Sequence, residues 1–223
     1  MSLQISRLHL ASLRGPDGLE WPVHGFVVTH PGGAALVDTG VGGPPGVLSD
    51  WRVVNRSVAD ALAGLDMTPG DIGMVINTHL HFDHCGQNAV FKHAPFYVQR
   101  AELTRMRRES GELYDWFGFM DARFELLDGD AEVLPGLEVI ATPGHTDGSI
   151  SLLIRRRARP PLLLAGDLTY GAELLERRQV PGVGSRRRLA ETTGKVLALK
   201  TQMPDLVILP AHDPTAAARL RGS

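Results

Sequence analysis

The sequence predicts an α+β protein in which two β-sheets pack face to face and helices cover their outer surfaces. Three observations predict it. Short apolar runs ending in Gly, Pro or Thr recur in both halves of the chain, the pattern of strands buried in a core. Each strand-rich half closes on segments with helical spacing, which suits sheets covered from outside. No solenoid repeat and no low-complexity tract interrupts this order.

The elements follow in turn. Leu3–Leu10 alternates like a strand, and Gly25–His30 and Ala34–Asp38 form a hairpin about the Pro31–Gly33 turn. A Gly/Pro-rich loop spans Gly40–Gly46. Arg56–Leu65 carries Val58, Ala61, Leu62 and Leu65 at helical spacing, and Thr68-Pro69-Gly70 stops it. Met74–Asn77 and Pro95–Gln99 are expected strands, and the charged run Arg100–Tyr114 an expected helix. The second half supplies strands at Phe124–Leu127, Glu132–Leu134, Leu137–Ala141, Ser149–Arg155 and Leu162–Ala165. A helix near Arg187–Lys200, a strand at Leu206–Leu209 and a short helix at Thr215–Arg221 complete the chain.

With 223 residues, one large domain over 1–223 is expected. Hydrophobic residues make up 43% and the net charge is -2, which gives no electrostatic reason to expect nucleic acid or an anionic membrane as partner. The clusters Arg155–Arg157 and Arg186–Arg188 are short enough to be solvated surface. No run approaches the roughly 18 apolar residues of a membrane helix, the amino terminus lacks a signal region, and Cys85 is the single cysteine. A cytoplasmic protein is the expectation. Composition says nothing about oligomeric state.

Five of the nine histidines fall into one pattern: His79-Leu-His81-Phe-Asp83-His84, then His145, Asp167 and His212. Each segment follows a short apolar run, so the ionisable groups should sit at strand ends where loops converge. Uncoordinated, seven such groups would be costly to desolvate together. Metal removes that difficulty, and seven ligands suit two ions better than one. His79 and His81 leave one face of an extended segment, Asp83 should continue that face, and a short helix is expected from the turn at His84-Cys85-Gly86. Imidazole and carboxylate suit Zn²⁺ first, with Mn²⁺, Fe²⁺ or Co²⁺ as alternatives. Asp167 is the natural bridge between two ions. A lone histidine is usually a satisfied core residue, and His9, His24, His30 and His93 fit that description or are exposed. Cys85 is expected to be inert packing. Trp51, Trp116, Phe117, Phe119 and Met120 are either core or the wall of an apolar pocket. Phe82, inside the histidine loop, is better placed to touch substrate.

The histidine run, with Thr142-Pro143-Gly144-His145, Gly166-Asp167 and Ala211-His212, resembles the metallo-β-lactamase superfamily. The likeness extends from Leu36-Val37-Asp38-Thr39-Gly40 to the end of the chain. Within it, the sequence looks most like the N-acyl-homoserine lactonases, through His30-Pro31 leading to Asp38-Thr39-Gly40, His81–Asn88, Val98–Glu102 and Asp167-Leu-Thr-Tyr170. Two departures stand out: Gln87 where a second Gly is common, and Asp147-Gly148-Ser149 in place of Pro-Gly-His.

The resemblance implies an αββα four-layer sandwich with two mixed sheets and metals at one edge. It implies that His79, His81 and His145 hold one ion, that Asp83, His84 and His212 hold the other, and that Asp167 bridges them. Asp38 would support the ligands from behind, and Tyr170 would occupy the subfamily's tyrosine position. The implied reaction is opening of a lactone or ester by a hydroxide held between two metals roughly 3.5–4 Å apart. Tyr170 would donate to the oxyanion, and Asp83 would carry the proton to the leaving alkoxide. No organic cofactor is called for. Competing activities are thioester, arylsulfate, phosphodiester or other-lactone hydrolysis. A thioesterase of the glyoxalase II type is expected to carry a longer helical carboxy-terminal region than the eleven residues after His212. Metal binding without turnover is the competing class outside enzymes.

Overall fold

The computed structural model describes residues 3–15, 18–109 and 121–223. Twelve strands are described, in two sheets. The first sheet begins with a long antiparallel pair, β1 (Gln4–Arg14) and β2 (Glu20–His30), and β2 turns into β3 (Gly33–Val37) as the expected hairpin. After helix α1 (Pro45–Asp50), the short β4 (Val54–Asn55) pairs with β1, and helix α2 (Val58–Ala63) follows. Strands β5 (Ile72–Ile76), β6 (Phe96–Gln99) and β7 (Phe124–Leu127) then add in parallel beside β3. Helices α3 (Phe82–Cys85) and α4 (Arg100–Glu109) lie between these strands in sequence.

The second sheet is an antiparallel run, β8 (Ala131–Leu134), β9 (Leu137–Ala141), β10 (Ile150–Ile154) and β11 (Leu162–Gly166). Helices α5 (Ala172–Glu176) and α6 (Arg186–Gln202) carry the chain to β12 (Val207–Pro210), which joins β11 in parallel. Helix α7 (Ala216–Arg221) ends the fold. The seven-stranded order is β4-β1-β2-β3-β5-β6-β7 and the five-stranded order β12-β11-β10-β9-β8. Both sheets are mixed, as expected.

Three apolar layers explain why these strands read as continuous hydrophobic runs. Between the sheets, Phe26, Val28, Val37 and Ile76 meet Val139, Ile150, Leu152 and Leu164. The opposite face of the first sheet presents Val27, Leu36 and Val75 to Val58, Ala61 and Leu62 of α2. The opposite face of the second presents Leu153, Leu163 and Ile208 to Leu189 and Val196 of α6. Strands covered on both faces lose the alternation of a half-exposed sheet. Capping fixes where the covering helices begin: the Ser57 side chain accepts the N–H of Ala59 in α2, and that of Ser185 accepts the N–H of Arg188 in α6. No helix among the described residues is long and apolar enough to cross a membrane.

Three elements depart from expectation. α1 begins at the end of the Gly/Pro-rich loop, where Pro45 suits a first helical turn, and runs on to Asp50. β4 and α5 had no expected counterpart. The expected helix over Arg100–Tyr114 is described to Glu109; its remainder lies outside the described residues, as do Trp116, Phe117, Phe119 and Met120.

One contact explains the glycines flanking the site. The Gly40–Gly42 segment runs against α3: the Gly42 N–H donates to Phe82 O at 3.0 Å, and the Gly86 N–H donates to Gly40 O at 2.9 Å. A Cβ on Gly86 would overlap the Gly42 backbone and Phe82 O. Gly86→Ala is therefore expected to cost about 3 kcal/mol, since backbone cannot step aside as a side chain can. In thermal melts that is a drop of roughly 10 °C; an unchanged midpoint would show that the two segments separate freely.

Candidate metal centre

The site forms where the carboxyl ends of β5, β9, β11 and β12 approach one another across the two sheets. After β5, the chain is extended through His79, Leu80 and His81. Alternation sends Leu80 into a buried cluster with Val98, Leu103 and Met106, and leaves the two histidines on the other side. Asp83 does not continue that extended face, contrary to expectation. His81 is the N-cap of α3, its carbonyl already accepts the N–H groups of His84 and Cys85, and Asp83 and His84 lie within the helix. Helical rotation therefore turns them toward a different point from His79 and His81.

Two trios of candidate ligand atoms result. His79 Nε2 and His145 Nε2 each lie 3.0 Å from His81 Nδ1. Asp83 Oδ2 lies 3.4 Å from His212 Nε2 and 3.7 Å from His84 Nε2. Asp167 stands between them with its oxygens divided: Oδ2 is 3.4 Å from His145 Nε2, while Oδ1 is 3.2 Å from His84 Nε2 and 3.3 Å from His212 Nε2. Four ligands around a zinc ion at about 2.0–2.1 Å stand about 3.3 Å from one another. These separations, 3.0 to 3.7 Å, bracket that spacing, and the atoms of each trio lie within 4.8 Å of one another.

Tautomers follow from the partners behind the rings. Asp38 Oδ2 accepts from His84 Nδ1 at 2.8 Å, and Pro22 O accepts from His212 Nδ1 at 2.8 Å. A carboxylate oxygen and a carbonyl oxygen accept here, so each Nδ1 donates, and in the neutral ring each Nε2 turns a lone pair inward. Thr78 Oγ1 donates to Asp38 Oδ2 at 2.7 Å and lies 3.2 Å from His79 Nδ1, which fixes His79 the same way. The Thr78 N–H donates to Asp38 Oδ1 at 2.8 Å, so Asp38 orients the loop and the ring together. Asp38 itself adopts a left-handed φ of 58°, a conformation Asp tolerates better than most residues.

Electrostatics distinguish the rings of the two trios. Burial first, then neighbouring imidazoles, hold His79 well below the usual histidine range and bring His81 to about 4, so these rings are neutral and their nitrogens free to coordinate. Burial also disfavours charge on His84 and His212, yet Asp167 and Asp83 outweigh it and raise both. Burial would raise Asp167, but His212, His84 and His145 hold it well below the carboxylate range. Asp167 and Asp83 thus favour positive charge beside them. His84 Nε2 and Asp167 Oδ1 are buried without a hydrogen-bond partner, which would be costly unless a cation satisfied them. The residues present fit a pair of divalent ions.

A cavity of about 440 Å³ opens on the centre, within the range of small-molecule sites. Its polar floor includes His81, Asp83, His145, Asp167, Tyr170 and His212, and its walls are Leu13, Trp21, Trp51, Phe82 and Val183. Tyr170 packs edge-on against Trp21 at 5.1 Å between ring centroids and lies 5.7 Å from the His212 ring. Burial, then Asp167 and Asp83, raise the Tyr170 hydroxyl above its usual range, so it stays protonated and able to donate. Phe82 lines the cavity and its ring lies 6.0 Å from that of Trp51. Trp21 and Leu13, part of this wall, belong to the extension of the first hairpin beyond Leu10. Cys85 faces the core with its thiol pushed well up by burial, and takes no part in the centre.

Both departures from the lactonase pattern have local roles. The Gln87 carbonyl oxygen accepts the Val58 N–H at 2.8 Å and its amide donates to Arg56 O at 3.1 Å, which ties the metal loop to the start of α2. Ser149 Oγ accepts the Thr146 N–H at 3.0 Å and closes the turn after His145, while Asp147 pairs with Arg188 at 2.7 Å.

Comparison with known proteins agrees with this geometry. The family described as Metallo-beta-lactamase superfamily matches residues 18–212. An N-acyl homoserine lactonase of Bacillus sp. is 31% identical over 210 residues, covering 87% of this chain and 82% of that protein. The N-acyl homoserine lactonase AttM of Rhizobium radiobacter is 30% identical over 247 residues, covering 96% and 91%. Among solved structures, a quorum-quenching N-acyl homoserine lactone hydrolase superposes with a TM-score of 0.79 at 25% identity, covering 96% and 92%. The dizinc quorum-quenching lactonase AidC superposes at 0.75 and 16% identity, covering 95% and 88%, a likeness of fold. With two packed mixed sheets, a histidine loop at their shared edge and a family match over most of its length, this chain belongs to the metallo-beta-lactamase superfamily.

Proposed function

We propose that this protein is a dinuclear metal-dependent hydrolase that opens lactone rings of the N-acyl-homoserine lactone type, with 1–223 acting as one domain. The observation that carries the proposal is the division of Asp167: one oxygen faces His145 of the first trio, the other faces His84 and His212 of the second. That arrangement suits one carboxylate shared by two ions. The similarity to N-acyl homoserine lactonases supports the substrate class.

In this reading His79, His81 and His145 hold one ion, and Asp83, His84 and His212 the other, zinc being the best match to the donor set. When bound, such ions lower the pKa of water and polarise a carbonyl oxygen. The remaining chemistry belongs to the chain. The cavity walls at Phe82, Trp21 and Trp51 take the apolar part of the substrate and exclude water. Tyr170 donates its hydroxyl proton in a hydrogen bond to the oxygen that gains charge as the carbonyl carbon is attacked. The Asp83 carboxylate accepts the proton released by the attacking water. As the ring C–O bond breaks, Asp83 returns that proton to the departing alkoxide, giving an open hydroxy acid.

Chelated and zinc-reloaded protein should be compared on four substrates: an N-acyl-homoserine lactone, a thioester, a phosphodiester and a cephalosporin. Lactone opening should fall at least about 10³-fold without metal and return on reloading. Undiminished turnover in metal-free protein, or turnover confined to one of the other three substrates, would overturn the proposal.

A further inference from the structure

Glu102, in the first turn of α4, is fully buried. Buried carboxylates need several partners, and those of Glu102 lie on the loops of the centre. Oε1 accepts the Leu80 N–H at 2.9 Å, and Oε2 accepts the Gly148 N–H at 3.1 Å. Leu80 stands between His79 and His81, and Gly148 lies three residues after His145. The first loop leaves β5 of one sheet; the second joins β9 to β10 of the other. Arg105, one turn along the same helix, supplies the counter-charge at 2.8 Å. The Gly148 backbone rests so closely on α4 that a Cβ there would overlap the Glu102 backbone.

We infer that Glu102 is a positioning residue that locks the loops carrying His79, His81 and His145 across the two sheets, and so sets the affinity of that trio for its ion. The inference rests on the dinuclear reading above. The other trio has supports that do not run through Glu102: Asp38, which also holds Thr78 beside His79, stands behind His84, and Pro22 O stands behind His212. Loss of Glu102 should therefore be felt at one ion and spared at the other.

Glu102→Gln keeps the volume but replaces one acceptor with an amide donor. Whichever way the amide turns, a backbone N–H loses its acceptor: that of Gly148, or that of Leu80 together with Arg105. In chelator-buffered zinc titrations of the full chain, wild type should take up two equivalents. In E102Q one of them should bind about 10–100-fold more weakly, the cost of losing support behind metal ligands, while the other shifts by less than about threefold. Gly148→Ala, which pushes the loop off α4 while leaving the carboxylate in place, should give the same one-sided loss. It serves as the test if E102Q does not fold. Adding E102Q to His145→Ala, whose first trio is already broken, should leave the remaining ion's affinity unchanged. Equal weakening of both ions, no weakening, or further weakening in the His145→Ala background would overturn the inference. Fewer than two equivalents in wild type would instead overturn the dinuclear reading, and the inference with it.

Discussion

Asp167→Asn should lose both bound metals and, with them, at least about 10³-fold in kcat/KM for lactone opening. The substitution changes almost no volume, so the effect is one of charge and lone pairs. Asp167 Oδ1 and Oδ2 face different trios, and an amide offers only one acceptor oxygen while turning an NH₂ toward the other ion. It also removes the negative charge that holds His84 and His212 above their ordinary range. Either ion would then meet fewer anionic ligands and an opposing donor. Metal analysis of the purified variant should find well under two equivalents, with circular dichroism unchanged to exclude misfolding. A variant that keeps two equivalents and hydrolyses lactone normally would show that Asp167 is no bridge.

The parts of this architecture legible in the sequence are those whose signal comes from burial. Runs such as Ile150–Ile154 and Leu162–Gly166 are almost wholly apolar because both faces of their strands are covered, and their bounds match expectation within a residue. The histidine loop stands out in the sequence because a metal site would demand particular side chains at particular spacings, and the structure brings His79 and His81 together with His145. Asp83 shows the limit of that argument: period-two alternation placed it on the face of His79 and His81, but α3 begins at Phe82 and turns it elsewhere. α1 was hidden because it buries none of its residues and its Gly and Pro content is that of a loop. α5 is a single short turn whose Leu175 packs only once the second sheet has formed. Glu102 was read as part of a charged helix. Besides its place at the end of the Val98–Glu102 stretch, its sequence signal is position: it stands four residues before Met106 on the face that α4 buries. A carboxylate in an apolar stripe needs partners, but which loops provide them depends on how two sheets meet. Trp21 and Leu13 likewise became wall residues only through the long β1–β2 pairing, which extends beyond the alternating segment at the amino terminus.

Tyr170→Phe separates chemistry from metal binding. The Tyr170 ring stands beside His212 and His145 and is propped by Trp21. Phenylalanine preserves the edge-on packing and removes only the hydroxyl. Metal content should therefore stay at the wild-type value, and KM should change little if the hydroxyl acts on charge that appears after binding. Losing one donor to a developing oxyanion typically costs about 10²–10³-fold in kcat, and a loss of that size is expected for lactone opening. Because burial and the nearby carboxylates keep the hydroxyl protonated, the wild-type to variant ratio should be flat across neutral and mildly alkaline pH. A ratio near one would assign Tyr170 to the wall alone, and a parallel loss of zinc would mean that the ring supports the ligands. The expected result is a slow enzyme with both ions in place.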